Sequence, residues 1–415
     1  MKIVIIGAGL IGVTSAYILR LRGHEVMVID RRDGPGQETS FANGALLTPS
    51  MSDPWNAPGC WRVLLASLGR SDAALQLRFG ALPSLLGWGV RFLRNSREDL
   101  YTRNTLTNLR LGLLSLKVME SLRQCAHLER EGGGRRGVLK VFRTSNALGH
   151  ALDMTSRLSS DGLVFRELST QQTIEMEPAL APIARQLAGA IHYRDDQTED
   201  AYRFCAALSQ KAGERGVEFS FNTSVSRLEA RSGQVIGVHT REKSHVADHY
   251  IVAAGSYSAP LLRPLGLHLP VRPAKGYSVT FTSPGKANLK IPIVDDGMHA
   301  AVVPVGTSIR VAGTAEFAGF DLTLRPERVA GLVRLAQSLL PEAGIDVASA
   351  QPWCGLRPMS ADGVPIIGRT PFSNLWINTG HGHLGWTLAA GSAELLAQLM
   401  GGEVPSLGPE AFAWR

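Results

Sequence analysis

The run Ile3-Val4-Ile5-Ile6-Gly7-Ala8-Gly9-Leu10-Ile11-Gly12, with Asp30 following later, constrains this chain more than any other feature. Four consecutive apolar β-branched residues read as a strand buried on both faces. The glycines then follow the pattern Gly-x-Gly-x-x-Gly. The first permits a tight turn, the second lets main chain approach a pyrophosphate, and the third lets a helix pack on the sheet. Apolar residues recur at helical spacing as far as Leu21, and Gly23 is a stop signal. Val26–Ile29 forms a second strand that ends at Asp30, placed for a carboxylate to accept from ribose hydroxyls. The helix N-terminus would offer free N–H groups to phosphate. This is a dinucleotide site, and the acid at position 30 disfavours a 2′-phosphorylated ribose.

The rest of the chain bounds the answer from outside. With 415 residues, two or three domains are expected. A hydrophobic share of 44% against 19% charged excludes disorder as the main state. Cys60, Cys125, Cys205 and Cys354 form no CxxC pair, which argues against a disulfide framework or a zinc site and suits a reducing compartment. The +7 balance is spread along the chain without a basic tract, so no nucleic-acid partner is expected. A strand-like run starting at Ile3 leaves no room for a signal peptide. No apolar run approaches the roughly 18 residues that span a bilayer. The expected location is cytoplasmic. The segment 83–94 mixes Leu, Trp and Phe with Arg. It reads either as an internal amphipathic helix or as a surface resting on the inner face of the membrane.

Helical patterns are expected at 64–68, 85–93, 106–122, 146–160, 170–176, 201–213 and 326–340. Strands are expected at 138–142, 189–193, 217–221, 235–239 and 249–253, with a strand-rich stretch over 269–316. A glycine cluster lies at 132–134. The end mirrors the beginning: strand Leu375–Asn378, a glycine-rich turn, then a helix from Thr387 to Met400. The predicted architecture is α/β, a Rossmann-like domain interleaved with an α+β substrate domain on a large mixed or antiparallel sheet plus helices. Residues 1–50, 197–265 and 355–415 are assigned to the first, 51–196 and 266–354 to the second. An NAD dehydrogenase usually completes its nucleotide fold in consecutive units. Deferral of the second half to the C-terminus suits a longer cofactor, FAD.

Further stretches then carry a family resemblance. They include TSFANG (39–44), DPWNAPG (53–59), GVLKVFRT (137–144), FNTSV (221–225), AAGSYSAPLL (253–262) and KGYSVT (275–280). WCGLRPMSADGVPIIGRT (353–370) and NTGHGHLGWTLAAGS (378–392) are the most specific. On these the chain resembles the FAD-dependent D-amino acid oxidase superfamily, and within it bacterial D-amino acid dehydrogenases. The resemblance implies noncovalent FAD between two domains and oxidation of an amino acid to an imino acid. It implies cofactor contacts from Gly7, Gly9, Leu10, Ile11, Gly12, Asp30 and Arg31. Ser40, Asn43 and Gly44, then Val225, Ala254 and Gly255, and finally Gly380, Gly382, Leu384, Gly385 and Thr387 would complete them.

For the substrate, an α-carboxylate calls for Arg, whose planar fork binds both oxygens. Arg357 is the candidate by motif position; its structural alternative is an ion pair with Asp362 or Glu316. The Tyr277 hydroxyl is expected to assist, and of His381 and His383 one is expected to face substrate or flavin. No metal site is expected. His299 reads either as a cleft residue or as an exposed strand residue. The substrate would be a D-amino acid or a cyclic imino acid such as D-proline, and the electron acceptor a quinone, a protein partner or oxygen. A non-catalytic electron-transfer subunit is the alternative function.

Overall fold

The computed structural model describes residues 1–66, 75–130, 134–282 and 289–415. Gly132 and Gly133 of the glycine cluster and Leu68 of the helical pattern lie outside the described residues.

The apolar β-branched runs form the first sheet. Strands β1 (Lys2–Ile6), β2 (Glu25–Ile29), β3 (Glu218–Ser220) and β4 (His249–Val252) lie parallel with β6 (Leu375–Thr379). The edge strand β5 (Ile366–Arg369) runs antiparallel to β6. The order β5-β6-β4-β1-β2-β3 gathers strands from both ends and the middle of the chain. Helices α1 (Leu10–Leu21), α2 (Glu98–Ala126), α3 (Ala201–Glu214) and α4 (Gly385–Gly401) cover one face with a continuous apolar core that includes Tyr17, Phe204 and Leu396. A three-stranded antiparallel ribbon over 225–245 covers the other.

The second sheet has ten strands. One end of it is built from β7 (Val271–Phe281), β8 (Ala300–Val305), β9 (Ser308–Phe317) and β10 (Ala350–Ser360), in the order β10-β7-β9-β8 and all antiparallel where they pair. Helix α5 (Pro326–Leu339) packs on one face through Leu332 and Ala336. Strand β10 and the strand Gly189–Thr198 both lie in this sheet, so the divisions expected at 354/355 and 196/197 cut through strands. Strands 225–231, 350–360 and 366–369 stand apart from the expected set. Each begins or ends in short polar or Pro/Gly-containing stretches that mask the alternation.

Candidate functional site

Between the two sheets lies a cleft of about 1640 Å³, reached by residues from Ile6 to Trp386. Its first wall is the turn between β1 and α1. Gly7 has φ +112°, and a Cβ on Gly12 would stand 1.8 Å from the Gly7 carbonyl oxygen, so no other residue fits. Helix α1 starts at Gly9 with no side-chain cap and no acid in its first turn. Ser40 Oγ accepts from the Leu10 N–H at 3.3 Å. The positive end of the helix therefore faces the cleft. Asp30 accepts from the Ala8 N–H at 2.6 Å and from the Arg32 N–H at 2.8 Å, bracing the turn while its carboxylate edges the cleft. Arg31 lies 3.9 Å from the Tyr257 ring centroid and pairs with Glu38.

Loop residues Ser40, Asn43 and Gly44 continue this wall and are tied to the ten-stranded sheet. Ser278 Oγ donates to the Ala42 carbonyl at 2.6 Å, and Arg310 donates to that of Asn43 at 3.2 Å. Val225, Ala254 and Gly255 close the nucleotide end. At the other end Gly382, Leu384 and Gly385 bring the N-terminus of α4 to the cleft, again without an acid in its first turn. Asn378 Oδ1 is buried there without a hydrogen-bond partner. Two uncapped helix N-termini, a side-chain-free turn and an orphaned buried acceptor fit a long anionic dinucleotide such as FAD.

Three residues of the expected set do not line the cleft. Gly12 lies under the turn, as a packing glycine would. Gly380, at φ +81°, lies against Ser360 and Val271. The Thr387 hydroxyl accepts from the Thr48 N–H at 2.9 Å and donates to the Leu46 carbonyl, so its side chain fastens a loop.

The floor is built from β7, β9 and β10. Arg357 projects over Gly276, where a Cβ would come within 2.1 Å of Nη1. Nη1 donates to the Thr314 carbonyl at 3.3 Å, and the guanidinium lies 5.5 Å from the Trp55 ring centroid. The two acids considered as ion-pair partners are engaged elsewhere. Asp362 pairs with Arg415 at 2.6 Å, and Glu316 pairs with Arg78, Lys275 and Arg325. Burial alone pushes the Arg357 pKa down to about 10, so it stays charged near neutrality with no carboxylate beside it among the described residues. A buried cation without a counter-ion is costly, and an anionic ligand relieves that cost. Thr314 Oγ1, buried and without a hydrogen-bond partner, lies in the same floor.

Tyr277 borders the cleft, but its hydroxyl is turned away from it. Successive strand residues face opposite ways, so with Gly276 beneath Arg357, Lys275 and Tyr277 point to the far side. There the Tyr277 hydroxyl donates to Glu316 at 2.8 Å, and burial with this carboxylate raises its pKa. His381 does line the cleft, with Nε2 3.1 Å from Ser392 Oγ. Burial lowers its pKa to about 3, so it is neutral at any ordinary pH. His383 Nε2 donates to the Met51 carbonyl at 3.3 Å, and its ring stacks on Trp55 at 5.5 Å. His299 is exposed on the cleft rim.

Asp53, Trp55 and Thr314 are cleft residues that the sequence does not single out. The DPWNAPG stretch is the available signal for the first two. Nothing local marks Thr314.

The comparisons agree with this geometry. A family model described as DAO, FAD dependent oxidoreductase, matches residues 2–399. A D-amino acid dehydrogenase of Methylobacterium sp. (strain 4-46) is 42% identical, covering 100% of this chain and 99% of that protein. One of Paramagnetospirillum magneticum is 40% identical over 97% of this chain and 95% of its own length. Among solved structures, a glycine oxidase of Geobacillus kaustophilus superposes with TM-score 0.77 at 22% identity, covering 100% and 98% of the two chains. An L-α-glycerophosphate oxidase of Mycoplasma pneumoniae with FAD bound gives TM-score 0.71 at 18% identity, covering 100% and 97%. At those identities the two structures speak for the fold.

Proposed function

The chain belongs to the DAO family of FAD-dependent oxidoreductases, and from that premise we propose that it is a D-amino acid dehydrogenase that holds its substrate by the α-carboxylate on Arg357. The observation that carries this reading is the half-buried Arg357 guanidinium facing the cleft without a counter-ion among the described residues. An enzyme for amino acids needs such a group; a subunit that merely relays electrons does not. The names of the relatives support the D-amino acid over a cyclic imino acid.

FAD, when bound, supplies the acceptor for the hydride leaving the substrate α-carbon. The residues proposed to hold it are those of the β1–α1 turn, Asp30, Ser40, Asn43, Gly44, Val225, Ala254, Gly255 and the 382–385 turn. The α1 N-terminus would take its phosphates and the α4 N-terminus the negative charge that reduction brings. Attachment is proposed to be noncovalent. His381 is held by Ser392, and Cys354 Sγ donates to the Leu322 carbonyl at 3.1 Å. Arg357 and the Thr314 hydroxyl orient the substrate, and the amine loses its proton before the hydride departs. Neutral His381 adds no positive charge that would oppose the iminium developing as the hydride departs. The imino acid takes up water and yields a 2-oxo acid and ammonia. The two sheets are proposed as the two domains, with the boundary near 361 rather than 355.

For the acceptor we propose a quinone reached at a membrane surface. Helix residues 82–94 bury Leu85, Trp88 and Phe92 and expose Leu86, Val90 and Leu93 beside Arg91 and Arg94, which supports a resting face. No helix among the described residues is long and apolar enough to cross a membrane.

The test is anaerobic bleaching of the flavin. D-amino acids should bleach it and L-enantiomers should not. Arg357→Ala should cut kcat/KM by about 10³-fold while retaining the flavin spectrum. Bleaching by none of a broad panel of D-amino acids would overturn the reading.

A further inference from the structure

The cleft holds a second charge without a partner. Asp53 is exposed at its rim and makes no hydrogen bond or ion pair with any other described residue. The other charged groups of that wall are matched or distant. Lys140, on which the charge of Asp53 also acts, pairs with Asp296 at 2.8 Å, Asp295 pairs with Arg143 at 2.7 Å, and Arg334 stands exposed on α5. His383 connects the two unmatched charges: it stacks on Trp55, two residues from Asp53, and the charges of Asp53 and Arg357 both act on its ring. The same Trp55 ring lies 5.5 Å from the Arg357 guanidinium.

Depth orders these groups. Arg357 on the floor and Trp55 beside it are half-buried, and Asp53 is exposed at the rim. A substrate anchored by its carboxylate on Arg357 must send its side chain outward, along the flat Trp55 ring and toward Asp53. An aromatic wall ending in a lone carboxylate suits an alkyl stem that ends in a cation.

We propose that Asp53 forms a side-chain subsite for cationic D-amino acids, with Trp55 as the wall for the methylene stem. This rests on the proposed α-carboxylate contact at Arg357 and goes beyond it by naming a substrate class. A charge-assisted contact in a cleft of this kind is worth roughly a tenfold preference. Salt weakens it, since Asp53 is exposed.

The experiment compares D-lysine with D-norleucine, which has the same number of side-chain carbons and no ammonium. Anaerobic flavin reduction by the holoenzyme should favour D-lysine by about tenfold in rate over affinity, and D-glutamate should be the poorest of the three. In Asp53→Asn the lysine-to-norleucine ratio should fall to about one, and in Asp53→Lys the order should turn toward D-glutamate. A gain for D-glutamate cannot come from misfolding. A wild-type ratio near one, or a ratio that survives Asp53→Asn, overturns the subsite. Equal losses for both substrates in Asp53→Asn also overturn it, because Asp53 would then be serving the α-ammonium. Calorimetric titration of the holoprotein with D-lysine and D-norleucine reads the same preference without turnover. Even if no D-amino acid bleaches the flavin, which refutes the proposed function, the titration still decides whether Asp53 selects a cationic side chain.

Discussion

The two walls of the cleft work by different means. On the wall of the β1–α1 turn the main chain is what faces the cleft, and nearby side chains are already satisfied by it: Asp30 by Ala8 and Arg32, Ser40 by Leu10. On the other side, from floor to rim, side chains are presented, and two charges, Arg357 on the floor and Asp53 at the rim, have no ion-pair partner among the described residues. A wall made of backbone is fixed by where a Cβ is forbidden. A wall made of charges is fixed by what each charge is denied.

Three experiments probe that contrast. The largest effect is expected at Gly12. A methyl group there would meet the Gly7 carbonyl at 1.8 Å, a contact with rigid main chain that no rotamer relieves. Gly12→Ala should abolish flavin incorporation, read from the ratio of flavin to protein absorbance in the purified protein. Normal flavin content would show that the turn can yield to a methyl group.

A smaller effect is expected at Gly276. Its Cβ would stand 2.1 Å from Arg357 Nη1, but a guanidinium at the end of a long side chain can shift. Gly276→Ala should therefore keep its flavin and lose about 10- to 100-fold in kcat/KM for D-amino acids, mostly through KM. Loss of flavin together with activity would mean that the two walls are not separable.

The smallest effect concerns the support of the loop that carries Asp53 and Trp55. Asp196 is buried, and its carboxylate holds Ser50 through both the hydroxyl and the N–H. Burial raises its pKa to about 7, from the 3.8 of an exposed aspartate. The folded state thus favours the protonated form. The stability this confers is full below about pH 4 and is lost as pH climbs through about 7. Asp196→Asn, which cannot ionise, should match the wild type near pH 4 and exceed it by about 1–2 kcal/mol at pH 8.5. Thermal denaturation across that range measures it. Parallel curves would show that Asp196 stays solvated.

Much of the fold is legible in the sequence because its signals are local. The β1–α1 turn needs three glycines within six residues, and the strand and helix around it follow from adjacent β-branched and periodic runs. The C-terminal strand, turn and helix are readable for the same reason. Thr387 marks where local reading stops: its hydroxyl's partners, Thr48 and Leu46, are more than 330 residues away in sequence. Tyr277 shows a different limit. The motif marks it, but the side it faces depends on the register of β7, which shifts between Gly276 and Tyr277 against β9. In a strand each step of one residue reverses the face.

Local sequence is therefore enough for the dinucleotide turn, the acid that braces it and the arginine on the floor. The residue type and its near neighbours suffice for each of these. Folding alone settles that Arg357 has no carboxylate partner among the described residues, that the Tyr277 hydroxyl serves the buried Glu316, and that Asp53 and Trp55 stand above the floor. Charge balance and strand face are properties of pairings between distant segments. A single residue carries no record of which distant partner will neutralise it.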